Sequence, residues 1–419
     1  MKLTANPYPA GSDEYYMREA VQLAHRGLGW TSPNPLVGCV LVKDGTVLAR
    51  AAHLHDGEEH AEVLALRQAG EAARGATCYV NLEPCSHVGR QPACCQQLAA
   101  AGVACVVYGC RDADQRTAGM AATLLPELGI ETREGVLQEE CEDFLDYYLE
   151  NRRGGRPYMH LKLALSLDGK VACANGNSQW LSGPESLGYA HYLRQKYDAV
   201  LVGYRTVLAD NPRLTVRPDV LAAYRPLDEG TPARNPVPVI LDPHLETLPR
   251  LAKLHLWKAG GSFREQLPRA IYVAEKSCAR TAGGLPPGVE IIGLPKTGSG
   301  KLKLGKLSRA LARLGIRSVL VEGGARLAQE AIRQQAVDKV SLVITPKLIG
   351  RDGLEFTPLL GCHSVEHCLR LCHQQVDLLG NDVVLSGKLN WWDYHGSLAK
   401  RSRKLRKQLL RVASELRES

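Results

Sequence analysis

The sequence predicts an α/β protein built from two consecutive domains. Three observations carry that reading. A chain of 419 residues, 45% of them hydrophobic, is long enough for more than one core. Strand-length apolar runs alternate with helical spacing over residues 1–150. A second run of the same kind begins after Asn151–Pro157, a polar, glycine-rich break that is not expected to continue a helix. The domains are therefore placed at 1–150 and 157–390, with a basic amphipathic tail at 391–419.

In the first domain, EYYMREAVQLAHRG has helical spacing and VGCVLVKDGTVLARA reads as a hairpin turning at Asp44-Gly45. HAEVLALRQAGEAARG is helical, and TCYVNLEPC is a short strand entering a loop. GVACVVYGC is an unbroken apolar run suited to a buried parallel strand. In the second domain the strand candidates are MHLKLALSLDGKVA, AVLVGY, PVPVIL, RAIYVA, SVLVEGG and KVSLVITPKL, with helices between several of them. Residues 212–238 hold six prolines and read as an irregular excursion.

Charge and cysteine usage exclude several classes. The net charge is +8, but residues 397–419 carry eight Lys/Arg against two Glu, leaving only +2 for the rest. A nucleic-acid-binding body is not expected, although the tail itself has the pattern of a basic amphipathic helix. No uncharged apolar stretch is long enough to cross a bilayer, and the first residues lack a secretory core, so a cytoplasmic protein is expected. Its thirteen cysteines are then expected to be reduced, serving burial or metal ligation. A cluster at 361–373, with Cys362, His363, His367, Cys368, Cys372 and His373, reads as unrelated loop and core positions rather than a metal site.

The sharpest signal is His60-Ala61-Glu62 opening a helical segment, followed by Pro84-Cys85 and a second thiol at Cys94-Cys95. One imidazole and two thiolates suit Zn2+ and leave a fourth position for water, as a catalytic zinc requires. Zinc lowers the pKa of bound water towards neutrality, and Glu62, two residues from the ligand, is placed to carry its proton. This is the logic of the zinc deaminases. His87 reads as a loop side chain or a substrate contact.

Eight residues separate Cys85 from Cys94, and together with the SH-x-GR-x-P element this resembles the deaminases of the riboflavin pathway. Asn34-Pro35 with Val37-Gly38 looks like that family's PNP-x-VG turn, and His53 with Gly57 stands at its spacing before HAE. From Pro157 onward LKLALSLDGKVA, SQWLSGPES, LVGYRTVLADNPRLTVR, VEGGARLAQEAI and ITPKLIG resemble the reductase half of the same bifunctional deaminase/reductase family.

The resemblance implies a cytidine-deaminase-like three-layer α/β/α domain followed by a dihydrofolate-reductase-like α/β domain. It implies deamination of a phosphoribosylaminopyrimidine and NADPH-dependent reduction of its ribosyl group to ribityl, by a homo-oligomer acting on a small molecule. It favours Cys94 over Cys95 as the ligand, with His60, Cys85 and Cys94 holding Zn2+, Glu62 catalytic, and Asn34 and His53 against the substrate. In the reductase it places Lys162 near the reacting carbon and Ser178 in the pocket. Trp180, Thr206, Asp210 and Gly324 fall to the cofactor; Arg194, Leu214, Arg217 and Glu322 fall to the substrate. Arg205 and Arg213 are further phosphate candidates by charge alone.

The chain departs from the family at Asp112-Ala113-Asp114-Gln115, where Asp114 replaces an asparagine, at GRQPAC, and at Pro243, where members can carry a cofactor-binding serine. The altered loop motivates one competing reading, a reductase whose deaminase half is impaired.

Overall fold

The computed structural model describes residues 6–88, 92–228, 231–259, 267–358, 360, 362 and 364–391. Gly89 and Arg90 of the SH-x-GR-x-P element, His363, and the basic tail beyond Trp391 lie outside the described residues.

The first sheet contains β1 (Gly38–Lys43), β2 (Thr46–Ala52), β3 (Thr77–Leu82), β4 (Cys105–Cys110) and β5 (Glu131–Glu134), in the order β2-β1-β3-β4-β5. The hairpin β1–β2 turns at Asp44 and Gly45, both with positive φ (49° and 75°), the backbone that a two-residue turn between twisted strands requires. From β3 to β5 the strands run parallel, and β4 is buried along its whole length.

Helices cover both faces. On one, Tyr16 of helix Asp13–Ala24 meets Tyr79 of β3 with ring centroids 5.0 Å apart. That helix lies so close to β1 that a Cβ on Gly38 would stand 2.0 Å from the Ala20 carbonyl oxygen, so only glycine fits. On the other face, helix Ala61–Ala69 packs on β1 and β2 and against helix Cys94–Ala100. The result is the three-layer α/β/α arrangement.

The second sheet has nine strands. They are β6 (Tyr158–Leu165), β8 (Ala199–Gly203), β9 (Val237–Leu241), β10 (Ala270–Glu275), β11 (Val289–Leu294), β12 (Ser318–Glu322), β13 (Lys339–Ile344), β15 (Leu371–Leu379) and β16 (Asp382–Leu389). β7 (Lys170–Ala172) pairs separately with β14 (Leu354–Glu355). The order is β11-β10-β9-β8-β12-β6-β13-β16-β15, parallel from β11 to β13, with the hairpin β15–β16 antiparallel at the edge.

Two expectations need correction. The segment Asn151–Gly154 is helical, because helix Asp146–Gly154 runs through it and stops only at Gly155, which adopts φ 60°. Five strands, β5, β11, β14, β15 and β16, also fall outside the sequence-predicted set; each carries a charged residue within its run.

A core of buried side chains passes without interruption from Met17, Val40 and Phe144 to Tyr192, Tyr197 and Val384. Buried ion pairs stitch the same junction. Asp146 lies within 3.2 Å of both Lys196 and Lys339 and accepts from the Tyr158 hydroxyl at 3.0 Å; Lys339 also reaches Asp143 at 2.5 Å. Burial alone would raise the Asp146 carboxyl, but the two ammonium groups hold it well below the usual carboxylate range.

Candidate active sites

His60 precedes helix Ala61–Ala69 in extended conformation, so its ring leaves the helix start while Glu62 enters the first turn, buried. Cys85 lies in the loop after β3, at the carboxyl ends of the parallel strands, where α/β sheets open their clefts. Cys94 begins the next helix, and its backbone N–H donates to Cys85 Sγ at 3.3 Å. His60 Nδ1 is 3.2 Å from Cys94 Sγ and 3.7 Å from Cys85 Sγ, and all three ligand atoms lie within 4.8 Å of one another. Cys95 turns away, its Sγ 3.6 Å from the Pro84 carbonyl.

Hydrogen bonds from Cys94 and then His60 bring the Cys85 thiol down to about 4, although burial opposes them. The bond to Cys85 brings the His60 imidazole up to about 9. A thiolate beside an imidazolium is a donor set in which a soft dication displaces protons, and one N and two S donors fit Zn2+. Burial raises the Glu62 carboxyl, with His60 opposing.

His60, Glu62 and Cys85 open into a cavity of about 330 Å³, lined also by Asn34, His53, Asp112, Asp114, Thr117 and Arg152. Asn34 Nδ2 lies 3.3 Å from His53 Nε2 and donates to Asp56 at 3.1 Å. His53 Nδ1 is 3.0 Å from the Glu59 carbonyl oxygen, and burial lowers the pKa of its ring. His87 Nδ1 contacts Thr117 Oγ1 at 3.2 Å.

The Asp114 carboxylate does not face the cavity as a bare charge. It is bonded to the Arg116 guanidinium at 2.7 and 3.0 Å, with Arg152 at 3.6 Å.

Sequence reasoning passed over Glu83. Its buried carboxylate accepts from the backbone N–H groups of Asp112, Gly119 and Ala121 at 2.9 to 3.1 Å, holding the whole loop that walls the cavity. Its place directly before Pro84-Cys85 was the available signal.

In the second domain, Lys162 of β6 lies between Glu322 of β12 and Ser341 of β13 in register. Arg194, on helix Pro184–Lys196, grips Glu322 bidentately at 2.6 and 2.8 Å and donates to the Thr215 carbonyl at 3.2 Å. Arg194 and Glu322, both predicted to meet the substrate, thus meet each other. Burial lowers the Lys162 ammonium, with Glu322 opposing. Leu214 is buried with φ 57° beside that carbonyl, and Arg217 Nη2 lies 3.3 Å from His191 Nε2.

At the carboxyl ends of β8 and β12 the glycines leave room. A Cβ on Gly203 would meet nothing within 4 Å, and one on Gly324 only Thr206 Oγ1 at 3.9 Å. Gly324 caps helix Ala325–Arg333 without a side-chain bond to its backbone amides, a cradle that fits the diphosphate of a dinucleotide. Ser178, Trp180 and Asp210 are exposed, as are Arg205 and Arg213; the Trp180 carbonyl accepts from Lys347 at 2.8 Å.

Residues 10–110 match the model of the cytidine and deoxycytidylate deaminase zinc-binding region, and residues 157–385 match the RibD C-terminal domain. The riboflavin biosynthesis protein RibD of Escherichia coli K12 is 38% identical over 380 residues, covering 89% of this chain and 98% of the relative. That of Aquifex aeolicus is 37% identical over 377 residues, covering 89% and 97%. Among solved structures, RibD of Acinetobacter baumannii superposes with a TM-score of 0.72 at 32% identity, covering 90% of this chain and 99% of that one. The diaminohydroxyphosphoribosylaminopyrimidine deaminase/5-amino-6-(5-phosphoribosylamino)uracil reductase of Thermotoga maritima also gives 0.72 at 32%, covering 90% and 98%. With relatives aligned across nearly their whole length and both halves matched, the chain belongs to the family of bifunctional riboflavin-biosynthesis deaminase/reductases.

Proposed function

We propose that residues 1–150 deaminate 2,5-diamino-6-(5-phosphoribosylamino)pyrimidin-4(3H)-one and that residues 157–390 reduce the ribosyl group of the product to ribityl. The observation that carries the first half is the convergence of His60, Cys85 and Cys94, with His60, Cys85 and the buried Glu62 lining one cavity. His60, Cys85 and Cys94 would hold Zn2+, which supplies Lewis-acid activation of water at neutral pH. Glu62 takes a proton from the attacking water and returns it to ring nitrogen and departing ammonia; its raised pKa suits both directions of that transfer. Asn34 and His53, tied to each other, orient the pyrimidine.

In the reductase, Gly324 and Thr206 would hold NADPH, which would supply a hydride. Lys162 faces the reacting carbon, and the Arg194–Glu322 pair fixes the electrostatics around it. Arg217 is the guanidinium assigned to the substrate phosphate; Ser178, Leu214, Trp180 and Asp210 complete the two subsites.

The chain works as a homo-oligomer in the cytoplasm. Val376 and Leu378, largely exposed on the edge strand β15, support the assembly, since an apolar sheet edge invites pairing.

The test is incubation of purified protein with the diaminopyrimidinone ribosyl phosphate, with and without NADPH, and identification of products by mass. Conversion to the uracil without NADPH, and to its ribityl form with it, is expected. Reduction without deamination would mean that the deaminase half is a scaffold.

A further inference from the structure

We propose that His244, Glu275 and Cys278 form a second metal site, remote in sequence from the deaminase centre, for a dication of the zinc class. One imidazole nitrogen, one carboxylate oxygen and one sulfur lie within 4.8 Å of one another. His244 and Glu275 come from the ends of neighbouring parallel strands, and Cys278 from the helical turn that follows β10. β9 and β10 run level, with Leu241 opposite Val273, so that Pro243 and Glu275 emerge side by side and the Glu275 N–H donates to the Pro243 carbonyl at 3.0 Å. His244 follows Pro243 directly. Cys278 stands three residues past Glu275 on the turn Lys276–Thr281, the spacing that brings two side chains to one face.

The His244 arm is held rather than loose at its root. The buried Asp242 carboxylate accepts from the N–H groups of Glu246 and Thr247 and from the Thr247 hydroxyl at 2.7 to 3.0 Å, fixing the loop that carries the imidazole. Glu275 Oε1 lies 3.7 Å from His244 Nε2 and also accepts from Lys296 Nζ at 2.6 Å. Tetrahedral zinc with bonds of roughly 2.0 to 2.3 Å keeps its ligand atoms roughly 3.5 Å apart. The histidine–glutamate separation already meets that spacing, and Cys278 closes it by a small inward turn while Lys296 yields the carboxylate. A mixed N, O and S donor set selects Zn2+ or Co2+ over Mg2+ or Ca2+, which take oxygen alone.

The experiment is a titration of metal-stripped, full-length protein with Co2+, counting bound ions and following thiolate-to-cobalt charge-transfer absorption. Two ions per chain are expected in the wild type. His244→Ala or Cys278→Ser should weaken one of them at least tenfold, with the other unmoved and the thermal melt unchanged. Lys296→Ala, which removes the competing ammonium, should tighten that same ion. The charge-transfer band that persists in Cys85→Ser/Cys94→Ser protein should disappear when Cys278→Ser is added. A single ion per wild-type chain, or a second ion whose affinity none of the three surface substitutions changes, overturns the proposal.

Discussion

At the scale of single residues, the proposed deaminase chemistry turns on Glu62. It is buried, contributes no ligand to the His60–Cys85–Cys94 set, and sits one helical turn's start away from His60. Glu62→Gln keeps the shape and removes the proton carrier. Deamination should fall by a factor on the order of 10² to 10⁴ while zinc content and NADPH-dependent reduction of the deaminated substrate stay unchanged. Steady-state rates and metal analysis on one preparation check this.

In the reductase, Arg194→Ala strands the half-buried Glu322 carboxylate without its bidentate partner. Breaking such a pair costs about 3 kcal/mol of stability. The double variant Arg194→Met/Glu322→Gln should recover much of the loss in a denaturant melt but not the reductase rate. Here the sequence was legible in part. Residue types and spacing marked His60, Glu62, Cys85 and the pair Cys94-Cys95, because metal chemistry restricts which side chains serve, and the family resemblance favoured Cys94 within that pair. They did not disclose that Arg194 and Glu322 answer each other, since 128 positions separate them and only the sheet joins them.

At the scale of elements, the loop from Arg111 to Met120 is positioned by one carboxylate on a neighbouring loop. Glu83 accepts from two of its backbone N–H groups, Asp112 and Gly119, and from that of Ala121 at the start of the next helix, and hydrogen bonds to a charged group contribute roughly 1.5 to 3 kcal/mol each. Glu83→Gln should raise the deaminase KM about tenfold, a loss of roughly 1.4 kcal/mol in binding, and leave the reductase KM alone. Equal KM values for wild type and variant would remove Glu83 from the account.

The strands and helices flanking the first site were readable because their periods are clean: the hairpin turn needs Asp44-Gly45, and β4 is apolar throughout. The edge hairpin β15–β16 was not. One face of an edge strand meets solvent, and the consecutive polar residues His373, Gln374 and Gln375 break the alternation that would announce it. Helix Asp146–Gly154 was not read from the sequence, for a different reason: Arg152 and Arg153 read as a polar break, yet basic residues suit a helix C-terminus.

For the whole molecule, the two catalytic halves share one core and one buried charge network. That network is not free of cost at low pH. His25, His160 and His191 are all held neutral: burial lowers each, and then Arg225 acts on His25, Lys339 on His160, and Arg194 on His191, which falls to about 3. The unfolded chain therefore takes up protons near the ordinary imidazole value of about 6.5 that the folded chain refuses. Stability is complete above that value and falls as pH drops below it, by up to about 1.4 kcal/mol per pH unit for each histidine. Urea melts at pH 7.5, 6.0 and 5.0 should show a midpoint that drops steadily; a flat profile would mean these rings are protonated in the fold.

Asp146→Asn removes the carboxylate shared by Lys196 and Lys339, leaving the buried Lys196 ammonium without that carboxylate and Lys339 with Asp143 alone. Destabilisation of about 3 to 5 kcal/mol is expected, with both activities lost together on heating.

The central claim is that two independent active sites in this chain act in succession on one substrate. The most direct measurement follows products by mass for the Glu62→Gln and Lys162→Met variants, separately and mixed, with NADPH and the diaminopyrimidinone ribosyl phosphate. Glu62→Gln alone should leave the substrate untouched, Lys162→Met alone should accumulate the deaminated ribosyl compound, and the mixture should form the ribityl product. Ribityl product from either variant alone at the wild-type rate, or none from the mixture, would contradict the account.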